Sequence, residues 1–160
     1  MKQAPQPIVV STSEAFSAAT VRTGAKDDLP ALKFVDPLLR ADPDRAQLVR
    51  DALRDGQCVV ATDGDDIVGY AIVNDGFLYE GFVPLLMVAI SSRRCGVATR
   101  LLGELERRCA KQRLFVPVGA SNVPAQCLLE KCGYAPSGHT HVNDAGESEN
   151  VYFKHLKPRR

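Results

Sequence analysis

The sequence lacks most of the features that would assign it to a special class. No stretch approaches the roughly 20 consecutive apolar residues that span a bilayer. The opening MKQAPQPIVVSTSEAF holds only three adjacent apolar residues, Ile8 to Val10, short of a secretory core of about 7–15. The five cysteines (Cys58, Cys95, Cys109, Cys127 and Cys132) include no CxxC pair. An odd set with this spacing reads as reduced thiols, which points to the cytoplasm and away from a disulfide framework. Charge of one sign is not in excess: 20 Lys and Arg face 19 Asp and Glu, a formal net charge of +1. A protein that binds nucleic acid by neutralising phosphates usually carries a basic surplus. Internal repeats and linkers are missing too. What remains is 160 residues, 45% apolar and 24% charged, enough for one soluble domain with its own core. Residues 1–18, rich in Gln, Pro, Ser and Ala, read as a loose arm, and 19–160 as a single domain.

Periodicity supplies the elements. Residues 19–24 alternate weakly and predict a first strand. Lys26–Leu32 predicts a short helix, with Asp27 or Asp28 as cap and Pro30 in its first turn. Residues 42–55 predict a second helix, capped by Asp42, opened by Pro43 and ended by Gly56. Gln57–Thr62 and Ile67–Val73 predict strands joined by an Asp-Gly turn at Asp63–Asp66. The run 82–90 (FVPLLMVAI) suits a central strand buried on both faces, with Pro84 at its start or at a bulge. Gly96 to about Lys111 predicts a helix buried along Val97, Leu101, Leu102, Leu105 and Cys109. Leu114–Val118 predicts a strand. Residues 122–132 predict a last helix with Ala125, Leu128, Leu129 and Cys132 in one stripe, ended by Gly133, and two strands follow at 134–142 and 149–156. Hairpins combined with a strand–helix–strand unit predict an α/β fold with a mixed sheet. The hairpin at Asp63–Asp66 argues against a flavodoxin-like binder, which alternates strand and helix throughout.

Chemistry gathers at Ile90-Ser91-Ser92-Arg93-Arg94-Cys95-Gly96-Val97-Ala98-Thr99-Arg100. Two arginines precede a helix start. Gly96 allows a tight turn and close approach to a ligand, and Ala98 is small. The first helical N–H groups have no intrahelical partner, and the helix dipole adds positive potential. Together these make an anion site suited to a pyrophosphate. Charge is laid out unevenly. Residues 91–113 carry seven Lys/Arg and two Glu, a net +5, and residues 27–66 carry five Lys/Arg and ten Asp/Glu, a net −5. A basic half beside an acidic half suits an anionic cofactor and a cationic substrate.

The Arg93-x-x-Gly96-x-Ala98 stretch resembles motif A of the GCN5-related N-acetyltransferases, the GNAT superfamily. A second resemblance to that family runs from Asn122 through Ala125 and Leu128-Leu129 to Gly133-Tyr134. Together the two motifs extend the likeness over about residues 20–156. The resemblance implies a mixed central sheet splayed at the cofactor site and flanked by about four helices. It implies acetyl-CoA as co-substrate, with pantetheine along the backbone of Met87, Val88 and Ala89. The pyrophosphate would meet the amides of Arg94, Cys95, Gly96, Val97, Ala98 and Thr99, with charge from Arg93 or Arg94. Asn122 and Ala125 would line the other wall. Leu129 stands where many family members carry a tyrosine whose phenol protonates the departing thiolate.

The implied reaction is direct attack of a neutral amine on the thioester, so the amine must first lose a proton. Glu80 is the candidate base, with burial among Phe77, Tyr79 and Phe82 raising its pKa and Gly81 turning it into the cleft. Asp75 is second. Tyr134 offers a hydroxyl as proton donor, or packs as the aromatic after the helix stop. Cys132 offers a thiol there, or lies in the core. The acceptor is an amine on a small molecule or a protein, with neither nucleic acid nor membrane as partner and a homodimer as one option. The other reading is a CoA-binding regulatory module without transferase activity, kept open by Leu129. His139 and His141 alternate on a strand without a third ligand at matching spacing, so no metal site is expected.

Overall fold

A computed structural model describes residues 19–140 and 147–158. Seven strands form one sheet in the order β1-β2-β3-β4-β5-β7-β6. The strands are β1 (Thr20–Thr23), β2 (Cys58–Asp63), β3 (Asp66–Phe77), β4 (Glu80–Val88), β5 (Arg113–Gly119), β6 (Ala135–Thr140) and β7 (Glu149–His155). The helices are α1 (Leu29–Val35), α2 (Pro43–Arg54), α3 (Val97–Arg108) and α4 (Val123–Lys131). All neighbours pair antiparallel except β4 and β5, which are parallel across the α3 crossover. His141 lies outside the described residues.

The local rules behind these elements are plain. The Asp42 side chain accepts from Arg45 N–H at 3.0 Å, with Pro43 in the first turn of α2. The first helix is split: a 3-10 turn at Lys26–Asp28 precedes α1, and the Asp28 side chain caps that turn by accepting from the Ala25 N–H and pairs with Arg22, with no side-chain cap bond at the start of α1. The β3–β4 hairpin is longer than its apolar pattern suggested. Its two-residue turn, Leu78-Tyr79, has φ of 51° and 61°, the left-handed geometry that favours Asn-Gly. Gly81, expected to supply an unusual backbone angle, is not the residue that does so. A Cβ there would run into the Cys109 sulfur and sit 3.0 Å from the Arg113 carbonyl. It is a glycine of close packing.

Alternation along the strands sends side chains to two cores. One face places Val59, Ala61, Ala71, Val83 and Val116 against Val97, Leu101, Leu102 and Leu105 of α3 and Leu129 of α4. The other places Cys58, Val60, Tyr70 and Ile72 against Leu32, Val35, Val49, Ala52 and Leu53 of α1 and α2. Leu85, Met87 and Ala89 pack against this second core. Within it, Asp36 is fully buried. Its Oδ2 accepts from Tyr70 OH at 2.6 Å and from Arg45 Nε at 2.7 Å, and its Oδ1 has no partner. This group ties the turn Pro37–Arg40 to β3.

Candidate active site

The site begins with an interruption. β4 and β5 pair only at Gly81↔Leu114 and Phe82↔Phe115. Just beyond, the β3–β4 register slips between Ile72 and Asn74, placing Val83 and Pro84 against Val73 alone. Pro84 therefore sits at a bulge, one of the two places expected for a residue with no N–H to donate. From there on β4 is half-buried rather than enclosed on both faces, because β5 has moved away.

The backbone groups that face the gap follow from the ladder. The Ala89 N–H bonds the Val68 carbonyl at 2.8 Å. Antiparallel pairs alternate between bonded and non-bonded, so Gly69↔Val88 and Ala71↔Leu86 are non-bonded pairs. The N–H and C=O of Val88 and Leu86 thus point towards β5, while those of Met87 point to Tyr70. Of the three residues expected to offer backbone, Met87, Val88 and Ala89, only Val88 turns both its N–H and its C=O to the gap, and that carbonyl already accepts from Arg93. Leu86 was missed. An apolar run carries no sign of which alternate residues face which neighbour, and only the register supplies it.

Because β4 and β5 run parallel, the starts of α3 and α4 lie at one end of this gap. The chain enters α3 through Arg94 at φ +61° and Gly96 at φ +79°. The first helical bond runs from Arg100 N–H to the Gly96 carbonyl at 3.1 Å, so the amides of Val97, Ala98 and Thr99 precede any intrahelical partner. A Cβ on Gly96 would have no atom within 4 Å; the glycine is there for its backbone angle. Cys95 Sγ donates to the Arg93 carbonyl at 3.1 Å. Arg93 Nε donates to the Val88 carbonyl at 3.2 Å. Across the gap, Asn122 Oδ1 accepts from the Ala125 N–H at 3.2 Å and caps α4. Gln126 Nε2 donates to the carbonyls of Gly119 and Ala120, at 3.2 and 2.9 Å, and fixes the β5–α4 corner.

The structure does not group the two expected catalytic side chains with these. Glu80 stands at the opposite end of β4. Its Oε1 accepts from Arg113 Nη2 at 2.8 Å and Nε at 3.2 Å, and this hydrogen bonding holds its pKa below the ordinary glutamate value. Burial was expected to raise it, but Tyr79 is 89% exposed and turns away. Tyr134 is buried on the α3 side. Its hydroxyl donates to Glu106 Oε1 at 3.0 Å, and Lys154 Nζ joins the same carboxylate at 2.9 Å. Burial, with Glu106 beside it, pushes the phenol up. It packs as the aromatic after the helix stop, with its proton committed to Glu106. Leu129 is core, 3% exposed, and Cys132 is only half-buried. Asp75 is exposed near Lys111, at 3.7 Å. Among the described residues, no cluster of three His, Cys, Asp or Glu side chains is arranged for a metal, and no helix is long and apolar enough to cross a membrane.

Residues 26–134 match the model of the Acetyltransferase (GNAT) family. No curated protein matches the chain. A GNAT-family acetyltransferase from Bacillus cereus superposes with a TM-score of 0.79 at 23% identity, covering 87% of this chain and 98% of that one. YncA from Salmonella typhimurium, solved with its cofactor acetyl-CoA, gives 0.71 at 19% identity over 89% and 96%. The Escherichia coli ribosomal-protein-S18-alanine N-acetyltransferase gives 0.71 at 21% identity over 89% and 96%.

Proposed function

The chain belongs to the acetyltransferase (GNAT) family, and from that premise we propose that it is an acetyl-CoA-dependent N-acetyltransferase acting on an amine of a small molecule or a protein. The observation that carries this reading is the edge of β4 that β5 leaves unpaired beside the entry of α3. Leu86 and Val88 would hold pantetheine as an added strand, and the amides of Val97–Thr99 would hold the pyrophosphate, with Arg94 beside them. Asn122 and Ala125 would form the far wall.

Acetyl-CoA supplies the acetyl group for direct transfer to the neutral amine. The faces of the sheet divide the labour. The α3 and α4 side carries the unpaired amides and the cationic loop, which suits the anionic half of the co-substrate. The acceptor would therefore enter from the α1 side, past Leu85, Met87 and Ala89. The exposed Phe34 and Leu38 border that side in sequence around Asp36. We assign loss of the amine proton to water rather than to Glu80, whose carboxylate is tied to Arg113. The departing thiolate, with an ordinary thiol pKa of about 8.5, is protonated by solvent, since position 129 offers no phenol. The buried Leu129 also favours the second reading, a CoA-binding module without turnover.

The test is release of free thiol from acetyl-CoA against a panel of polyamines, aromatic amines and peptides with free α-amino groups. Turnover with any of them supports the enzyme reading, and CoA binding without turnover supports the module. Gly96→Asp puts a carboxylate where phosphates would lie and a side chain at φ +79°. Calorimetry is expected to show CoA affinity reduced at least about 10-fold by the lost dipole site and added repulsion. Unchanged affinity would remove the assignment.

A further inference from the structure

Arg93 precedes α3 with the charge of a phosphate ligand, yet its side chain turns back along β4. Its Nε donates to the Val88 carbonyl oxygen at 3.2 Å. That carbonyl faces away from β3, because Gly69↔Val88 is a non-bonded pair of the ladder. It opens into the gap that β5 has left. A ligand added to β4 as a strand would run about 4.8 Å from it. A guanidinium at hydrogen-bond distance from the carbonyl lies in that same lane. The second lone pair of the carbonyl does not relieve the conflict, since the ligand chain needs the space as well as the acceptor. Arg94 next to it is exposed, and among the described residues no hydrogen bond or ion pair engages its side chain. The two arginines are thus in different situations: Arg94 is available to an incoming anion and Arg93 is already bound to the strand edge.

We propose that Arg93 is a specificity-determining residue, holding the Val88 carbonyl in the free protein and releasing it for a thioester whose pyrophosphate draws the guanidinium away. The proposal rests on the cleft being the acetyl-CoA site. The pyrophosphate-bearing co-substrate replaces the lost Arg93–Val88 bond with a charge-assisted one. A pantetheine compound without phosphates must displace Arg93 with no such replacement. The residue thereby selects CoA thioesters over shorter thioesters of the same reactive end.

The consequence is a difference of sign between two ligands. Arg93→Met removes the competitor and the phosphate partner together. Pantetheine is expected to bind about 3–10-fold more tightly to this variant, the worth of one net hydrogen bond. CoA is expected to bind about 3–10-fold more weakly, the worth of a charge-assisted bond less that of the Val88 bond it no longer has to break. Arg93→Lys keeps the charge, so CoA affinity should stay within about threefold. Calorimetry with CoA and with pantetheine on folded wild type and both variants reads all of this. Opposite shifts in Arg93→Met support the proposal. A parallel loss for both ligands, or unchanged pantetheine affinity, overturns it while leaving the cleft assignment standing. Wild type that binds no CoA overturns both.

Discussion

Arg45→Met tests how the buried carboxylate of Asp36 is balanced. Asp36 has no exposed surface, and Arg45 is 19% exposed at its side chain. The substitution leaves the anion with the Tyr70 hydroxyl as its one partner, since Oδ1 already has none. Removing one member of a buried pair costs about 3–5 kcal/mol. The partial exposure of Arg45 argues for the lower end, about 3 kcal/mol. Against a total stability of about 5–15 kcal/mol that is a large fraction. A chain of this size loses roughly 2–4 °C in Tm per kcal/mol, so a fall of about 6–12 °C is expected. The triple replacement Asp36→Leu, Arg45→Met, Tyr70→Phe removes the charge, its counter-charge and the hydroxyl together. Apolar replacement of a whole buried ionic group is often neutral or stabilising, and here the orphaned Oδ1 makes the starting arrangement imperfect. The triple variant is therefore expected to be more stable than Arg45→Met alone. Urea unfolding followed by circular dichroism measures both, with the slope m unchanged if the folded state is intact. A triple variant as unstable as the single one, or a loss under about 1 kcal/mol for Arg45→Met, would refute this account.

Other outcomes follow from the same geometry. Glu80→Gln should keep turnover within about threefold and retain the ascending limb of the pH–rate profile; a loss of about 10² or more, the usual cost of a missing general base, would return Glu80 to the chemistry. Glu104 is held at a pKa of about 2, chiefly by the Arg107 hydrogen bond and then by Arg108. Because the folded value is depressed, its stabilisation is present above the ordinary value of 4.5 and is lost as pH falls towards about 2. Urea midpoints measured across that window should fall less steeply in Glu104→Gln than in wild type. Cys127 is exposed, whereas burial pushes Cys58 up to about 12. Iodoacetamide should therefore label Cys127 first and Cys58 only on unfolding, as peptide mass spectrometry would show.

Patterns that depend on near neighbours in the chain were legible in the sequence. The Asp42 cap, the Gly56 and Gly133 stops and the buried stripe of α3 all lie where the spacing put them. The split at Lys26–Asp28 was not legible, because the Arg22 that holds Asp28 there is brought by β1. The loop from Arg93 to Gly96 was legible as a helix entry with charge. The direction of Arg93 was not, since it follows from the register of β4 against β3. The ionisation expected of Glu80 was misjudged for the same kind of reason. Its neighbours in sequence are aromatic, but Arg113, brought alongside by the parallel β5, decides its ionisation. Asp36 carried no sequence signal distinguishing it from the exposed acids around it.

The brief pairing of β4 with β5 has a mechanical side. The sheet consists of two antiparallel leaves, β1–β4 and β5–β7–β6, stitched by two residue pairs and clasped at that end by Phe77, Phe82, Phe115 and Phe153. A ligand that bonds β4 along its open edge and also touches β5 or α4 would brace the leaves as a cross-strut, so under the proposed function the protein's rigidity would depend on acetyl-CoA. Saturation at 100 times Kd adds about 2.7 kcal/mol to stability, a sizeable share for a domain of this size. Hydrogen exchange would locate that gain residue by residue, with the Leu86 and Val88 amides passing from fast to slow as CoA is added. The fold would then act as a gauge of the CoA pool around it, more resistant to opening and proteolysis when the pool is full than when it is drained.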